Sequence, residues 1–137
     1  MGDPTFASWA ALLLRIGGGI VFLAHGVIKL LREGAGGEIG MARLTESITK
    51  MGFPLPRAWA YAAAVVQTGG GLLLLLGLFT SWAALAQAVI MVVATYWSQR
   101  SKGFLQGADF PLAMLGIMLA LALLGDGRLS LGRWLGW

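Results

Sequence analysis

Five polar side chains stand inside otherwise apolar runs, where a polar group is costly and therefore has work to do: Arg15, His25 and Lys29 in the first run, Gln67 in the second and Gln87 in the third. At ~100° per residue on a helix, Arg15, Gly18, Phe22, His25, Gly26 and Lys29 fall within a stripe about 100° wide. A cation at a bilayer centre costs from ~3 to over 10 kcal/mol, so such a stripe faces a bundle interior or sends its heads to the interface. Arg15, His25, Lys29 and Gln67 around a cavity between helices could hydrogen-bond the carbonyls of a quinone, with the histidine exchanging a proton near neutral pH. Arg15 and Lys29 could instead steer a small anion through a pore. The same groups also suit a purely structural seam: Lys29 as an anchor reaching the headgroups, His25 in an interhelical hydrogen bond, Arg15 paired with Asp126 or Asp3, and Gln87 as a further partner.

Other chemistry is excluded by residue type. The chain has no cysteine, so disulfides, thiolate metal sites and dithiol relays are all absent, and any electrons passing through are not carried by its side chains. A single histidine and no intramembrane carboxylate leave too few ligands for a self-contained zinc or iron site, so the reading is no metal and no intrinsic cofactor. A quinone or a lipid between helices remains open.

These side chains must be positioned by membrane-spanning helices. Of 137 residues, 58% are hydrophobic and 12% charged, with mean hydropathy +0.78, outside the range of a soluble domain of this size. Spanning ~30 Å of hydrocarbon takes about 17–25 helical residues, and lipid admits helices rather than open strands. Four segments qualify or nearly so, at roughly Phe6–Leu31, Pro56–Phe79, Trp82–Gln99 and Asp109–Leu124, the last of them short unless Gly125 and the tail lengthen it. The fold class expected is an all-α, four-transmembrane-helix bundle forming one domain over 1–137.

Between the first two spans, Met41, Leu44, Ile48 and Met51 recur at helical spacing opposite Glu38, Arg43, Glu46 and Lys50. That pattern predicts a short amphipathic helix over about 38–51, lying in the interface, with Glu46 and Lys50 as an i,i+4 pair and Gly52 at its C-terminal cap. Thr80 and Ser81 leave room only for a tight antiparallel hairpin and offer a hydroxyl cap; Asp109 with Pro111 in the first turn should cap the fourth helix. The triplets Gly17–Gly19 and Gly69–Gly71 read as sites of close helix approach.

The net charge of +4 is better matched by anionic headgroups than by nucleic acid, because most basic residues flank apolar segments. Lys29, Arg32, Arg43, Lys50, Arg57, Arg100 and Lys102 lie on the side of the first and third loops, against Arg128 and Arg133 on the other. By the positive-inside rule the loops face the cytoplasm and both termini face out; Met1–Ser8, with Asp3 and no basic residue, lacks the start of a cleaved signal. Trp9, Trp82, Trp134 and Trp137 fall at one interface and Trp59 and Trp97 at the other.

In order along the chain come Leu-Leu-Arg15-Ile-Gly-Gly-Gly-Ile-Val-Phe-Leu-Ala-His25-Gly-Val-Ile-Lys29-Leu, Met51-Gly-Phe-Pro-Leu-Pro56, Gly69-Gly-Gly-Leu-Leu-Leu-Leu-Leu-Gly-Leu78, and a last helix headed by Phe110-Pro111. The ordered set resembles the DoxX family of small four-helix membrane proteins over nearly the whole chain. The resemblance implies a bacterial or archaeal inner membrane protein. The family takes its name from a subunit of a thiosulfate:quinone oxidoreductase, and other members are linked to membrane complexes that handle oxidative stress. Where members often carry a glutamate this chain has Gln67, which removes an intramembrane carboxylate. The function expected is a non-catalytic accessory or structural subunit of a larger, redox-linked membrane complex. A quinone-binding oxidoreductase subunit is the alternative and small-anion transport a third. The partners expected are anionic lipid, other subunits or a second copy, and no nucleic acid.

Overall fold

In the computed structural model, which describes residues 4–31 and 40–136, hydropathy and helix length act together. Four long helices form: α1 over Pro4–Leu31, α3 over Pro56–Leu76, α4 over Thr80–Lys102 and a fourth crossing over Phe104–Leu124. The protein is a multi-pass, all-helical integral membrane protein. Two short helices complete it, α2 over Met41–Lys50 and α6 over Leu131–Trp134. The fourth crossing opens with a π-helical turn, Phe104–Ala108, that runs directly into α5, Asp109–Leu124. It is thus lengthened at the end opposite to the tail expected to do so. Asp109 does not act as a separate cap: its Oδ1 accepts from the adjacent Phe110 N–H at 2.8 Å, and the chain enters α5 already helical.

α1 packs antiparallel on α3, α3 turns through Gly77–Phe79 into α4, and α4 lies against α5, which returns to α1. Small residues set the α1–α3 distance. A Cβ on Gly71 would sit 2.9 Å from the Gly19 carbonyl oxygen, and one on Gly19 would sit 3.0 Å from the Gly71 carbonyl oxygen, so the two backbones touch reciprocally. Gly26 closes on Thr68 and Ala64 in the same way. Within each triplet the first glycine, Gly17 or Gly69, has open space around it, and the other two pack.

Around this contact Phe22, Leu74, Ala84, Met114, Met118 and Leu121 form the main core. A second, smaller core lies at the other end: Met41 and Ile48 of α2 pack on Ala60 and Ala64 of α3, with Leu30 and Leu44 alongside. The apolar face of α2 is therefore spent on α3, while Glu46 and Lys50 form an exposed ion pair at 2.6 Å. The part of the expected amphipathic helix before Gly40, including Glu38, lies outside the described residues, as do Asp3, Glu33 and Trp137. Trp9, Trp82 and Trp134 stand exposed at the end of the bundle that holds Pro4, and Trp59 stands at the opposite, Lys29 end.

Candidate functional site

The polar stripe of α1 resolves into two separate centres and one outlier. Arg15 is 2% exposed and is held by main chain alone. Its Nε donates to the Leu74 carbonyl at 3.0 Å, and its Nη1 donates to the carbonyls of Asp126 at 2.6 Å and Leu129 at 3.1 Å. These carbonyls are within reach because Leu74 lies in the last turn of α3, where its carbonyl accepts only the Gly77 N–H of the turn at 3.2 Å, and because the segment after α5 folds back over the bundle. Orphan carbonyls at a helix end and in a loop are natural acceptors for a guanidinium, and charge-assisted bonds of this kind are the strong ones. Neither a carboxylate nor Gln67 receives the guanidinium, so the pairing expected with the Asp126 side chain is replaced by its backbone; Asp3 lies outside the described residues.

The Asp126 carboxylate has another task. Its Oδ1 accepts from the Thr80 N–H at 2.7 Å, capping α4 from 46 residues away. Neither Thr80 nor Ser81 caps that helix with its own hydroxyl; Phe79 precedes it in the left-handed region at φ 49°, and the Thr80 Oγ1 is buried without a partner. Ser8 and Ser130 tie the same region down: the Arg128 N–H donates to Ser8 Oγ at 3.2 Å, and Ser130 caps α6 by accepting from the Arg133 N–H at 3.1 Å. No sequence pattern singled out Leu74, Leu129 or Ser130; the only signal was that Arg15 needed partners.

The second centre lies toward the other end. Lys29 does not run out to the headgroups but turns inward and donates to Gln67 Oε1 at 2.6 Å. Gln67, 3% exposed, faces the α3–α4 contact from the other side, where the Gln87 amide donates to the carbonyls of Val66 at 3.0 Å and Gln67 at 3.3 Å. Gln87 is fully buried against Gly70, where a Cβ would collide with its amide, and its Oε1 has no partner among the described residues. Lys29, Gln67 and Gln87 thus join α1, α3 and α4 in one layer.

His25 is the outlier. By angle it sits at the edge of the stripe, ~80° from Arg15, and its ring leaves the interior altogether. Nδ1 bonds the Val21 carbonyl one turn back at 2.8 Å, and the ring stacks on Phe110 of α5 with centroids 5.8 Å apart. A carbonyl can only accept, so Nδ1 is the donor in this bond, and in the neutral tautomer that this implies Nε2 is left as an acceptor. The four residues proposed to line one cavity are therefore not brought together: Arg15 is at one end, Lys29 and Gln67 pair toward the other, and His25 is on the outer face of α1 and α5.

Comparison with known proteins follows the same lines. The DoxX family model matches residues 10–100 of the chain. Among curated proteins, the chain is 30% identical over 120 residues, covering 88% of itself and 82% of the relative, to one from Bacillus subtilis (strain 168) named "Putative oxidoreductase CatD". No solved structure matches the chain.

Proposed function

Since this chain belongs to the DoxX family, we propose that it serves as a non-catalytic accessory subunit of a larger, redox-linked membrane complex. The redox link rests on the name of the relative, "Putative oxidoreductase CatD". The accessory role rests on one observation: the intramembrane cations are spent on the protein itself. Arg15 is taken up by three backbone carbonyls and Lys29 by Gln67. A side chain committed in this way orders helices and has little left to offer a reacting molecule. Redox centres then come from a partner, and the exposed apolar faces of α1, α3 and α4 are where another subunit would dock. Extraction in mild detergent followed by identification of the co-purifying chains tests this. A protein that is recovered alone, and that by itself turns over a quinone with a reductant, overturns it.

A second reading is favoured by His25. Its stacked ring and outward Nε2 offer an aromatic face and an acceptor on the membrane side of α1 and α5, which suits the hydroxyl of a quinol better than the carbonyl of a quinone. On that reading His25→Ala weakens quinol binding by roughly tenfold to a hundredfold while the bundle stays assembled. Equal quinol titrations of native and His25→Ala chains count against it.

A further inference from the structure

At the Pro4 end of the bundle, a cleft of about 610 Å³ opens between the first turns of α1, the end of α5 and the segment that leads into α6. Its walls differ in kind. Pro4, Ala7 and Leu124 contribute apolar lining, while Arg128 and Arg133 contribute two cations. Asp126 also lines it, but that carboxylate is committed to the Thr80 N–H, and the Arg15 guanidinium is bonded to the same residue's carbonyl. With the one acid among the described lining residues so occupied and balanced, the two arginines set the sign of the described lining.

Both are exposed, and among the described residues neither side chain is paired with a carboxylate. Their backbones, by contrast, are pinned: the Arg128 N–H by Ser8 and the Arg133 N–H by Ser130. The first bond ties the segment that carries both cations to α1, and the second holds the start of α6 within that segment. Leu123, 90% exposed, precedes Leu124 of the cleft lining, and Trp134, 83% exposed, follows Arg133, so large apolar side chains flank the lining residues in the chain.

We propose that this cleft is a binding site for a phosphate-type oxyanion, carried as the headgroup of an anionic phospholipid, with Arg128 and Arg133 on the phosphate and the acyl chains over Leu123 and Leu124. Guanidinium groups match phosphate oxygens in pairs of parallel hydrogen bonds, and the mixed polar and apolar walls fit a molecule with one charged end. The site stands at the end of the bundle poorer in basic residues, where a general electrostatic attraction to lipid is weakest, so binding there depends on these two residues.

The test uses the full chain in mild detergent, with retained lipid read by native mass spectrometry. Phosphatidylglycerol should be retained over phosphatidylcholine by roughly tenfold or more. Arg128→Gln with Arg133→Gln should abolish that preference, Arg128→Lys with Arg133→Lys should keep part of it, and Arg100→Gln with Lys102→Gln, the same charge change at the other end, should leave it intact. Displacement of phosphatidylglycerol by inorganic phosphate in the native chain, but not in the glutamine pair, would support the oxyanion site and assign it to the free ion. The proposal is overturned if the native chain shows no preference, if the glutamine pair at 128 and 133 retains it, or if the control pair loses it equally.

Discussion

Arg15 and Asp126 meet through the backbone of one and the side chain of the other: Arg15 Nη1 donates to the Asp126 carbonyl at 2.6 Å, while the Asp126 carboxylate accepts from Thr80 N–H at 2.7 Å. A single loop residue therefore joins α1 to the start of α4, and its charge caps a helix rather than forming the ion pair that residue types alone would imply.

This relationship fixes an order of effects. Arg15→Met removes three charge-assisted bonds from a buried position and should lower stability by about 3 kcal/mol or more. Asp126→Asn leaves the carbonyl in place and keeps an oxygen for Thr80, so it should cost about 1 kcal/mol or less. Unfolding in detergent by denaturant or heat measures both; equal losses would mean that the carboxylate, not the carbonyl, holds Arg15.

The glycines of one triplet should separate cleanly. A methyl on Gly71 meets the Gly19 carbonyl oxygen at 2.9 Å and the Leu23 Cα at 3.0 Å, both backbone atoms that cannot step aside without parting α1 from α3. Gly71→Ala should cost about 1–3 kcal/mol. Gly69→Ala meets open space and should be neutral or gain up to ~1 kcal/mol from helix propensity. The same unfolding assay decides it, and a Gly69→Ala chain as damaged as Gly71→Ala would refute the packing geometry.

Lys29 and Gln67 should behave as a coupled pair. Gln67→Leu strands the ammonium next to an apolar side chain and should cost about 2 kcal/mol or more. Adding Lys29→Met should restore much of the loss, because an apolar pair leaves nothing unsatisfied. Gln67→Glu, which puts a carboxylate opposite the ammonium, should be tolerated. A double-mutant cycle reads the coupling, expected at about 1–3 kcal/mol; additive effects would mean that the 2.6 Å contact does not form in the membrane.

The charge asymmetry leads to a topology. With seven basic residues at the Lys29 end and loops against Arg128 and Arg133 at the other, the Pro4 end should face away from the cytoplasm. A reporter that is active only in the cytoplasm should be silent when fused after Trp137, and an active fusion would reverse the assignment.

Class, helix number and the close approach of the glycine triplets were legible along the chain, because they depend on local quantities: the length of an apolar run, its charge, and the missing Cβ. The angular stripe on α1 was legible too, and Arg15, Gly18, Phe22 and Gly26 are buried as it requires. A helical wheel, however, gives direction and not depth. Arg15 and Lys29 share a face yet stand fourteen residues apart, ~21 Å along the helix, and so meet different partners. His25 stands at the edge of the stripe, and its ring is bonded to a carbonyl one turn back on its own helix instead of to another helix. The partners of Arg15 carried no signature at all, since every residue has a carbonyl and only the ending of α3 and the fold-back after α5 leave those of Leu74, Asp126 and Leu129 near it. Which polar groups must be satisfied is written in residue types; which groups satisfy Arg15 was decided by the tertiary structure, because the carbonyls it uses come together only where α3 nears its end and the loop after α5 returns.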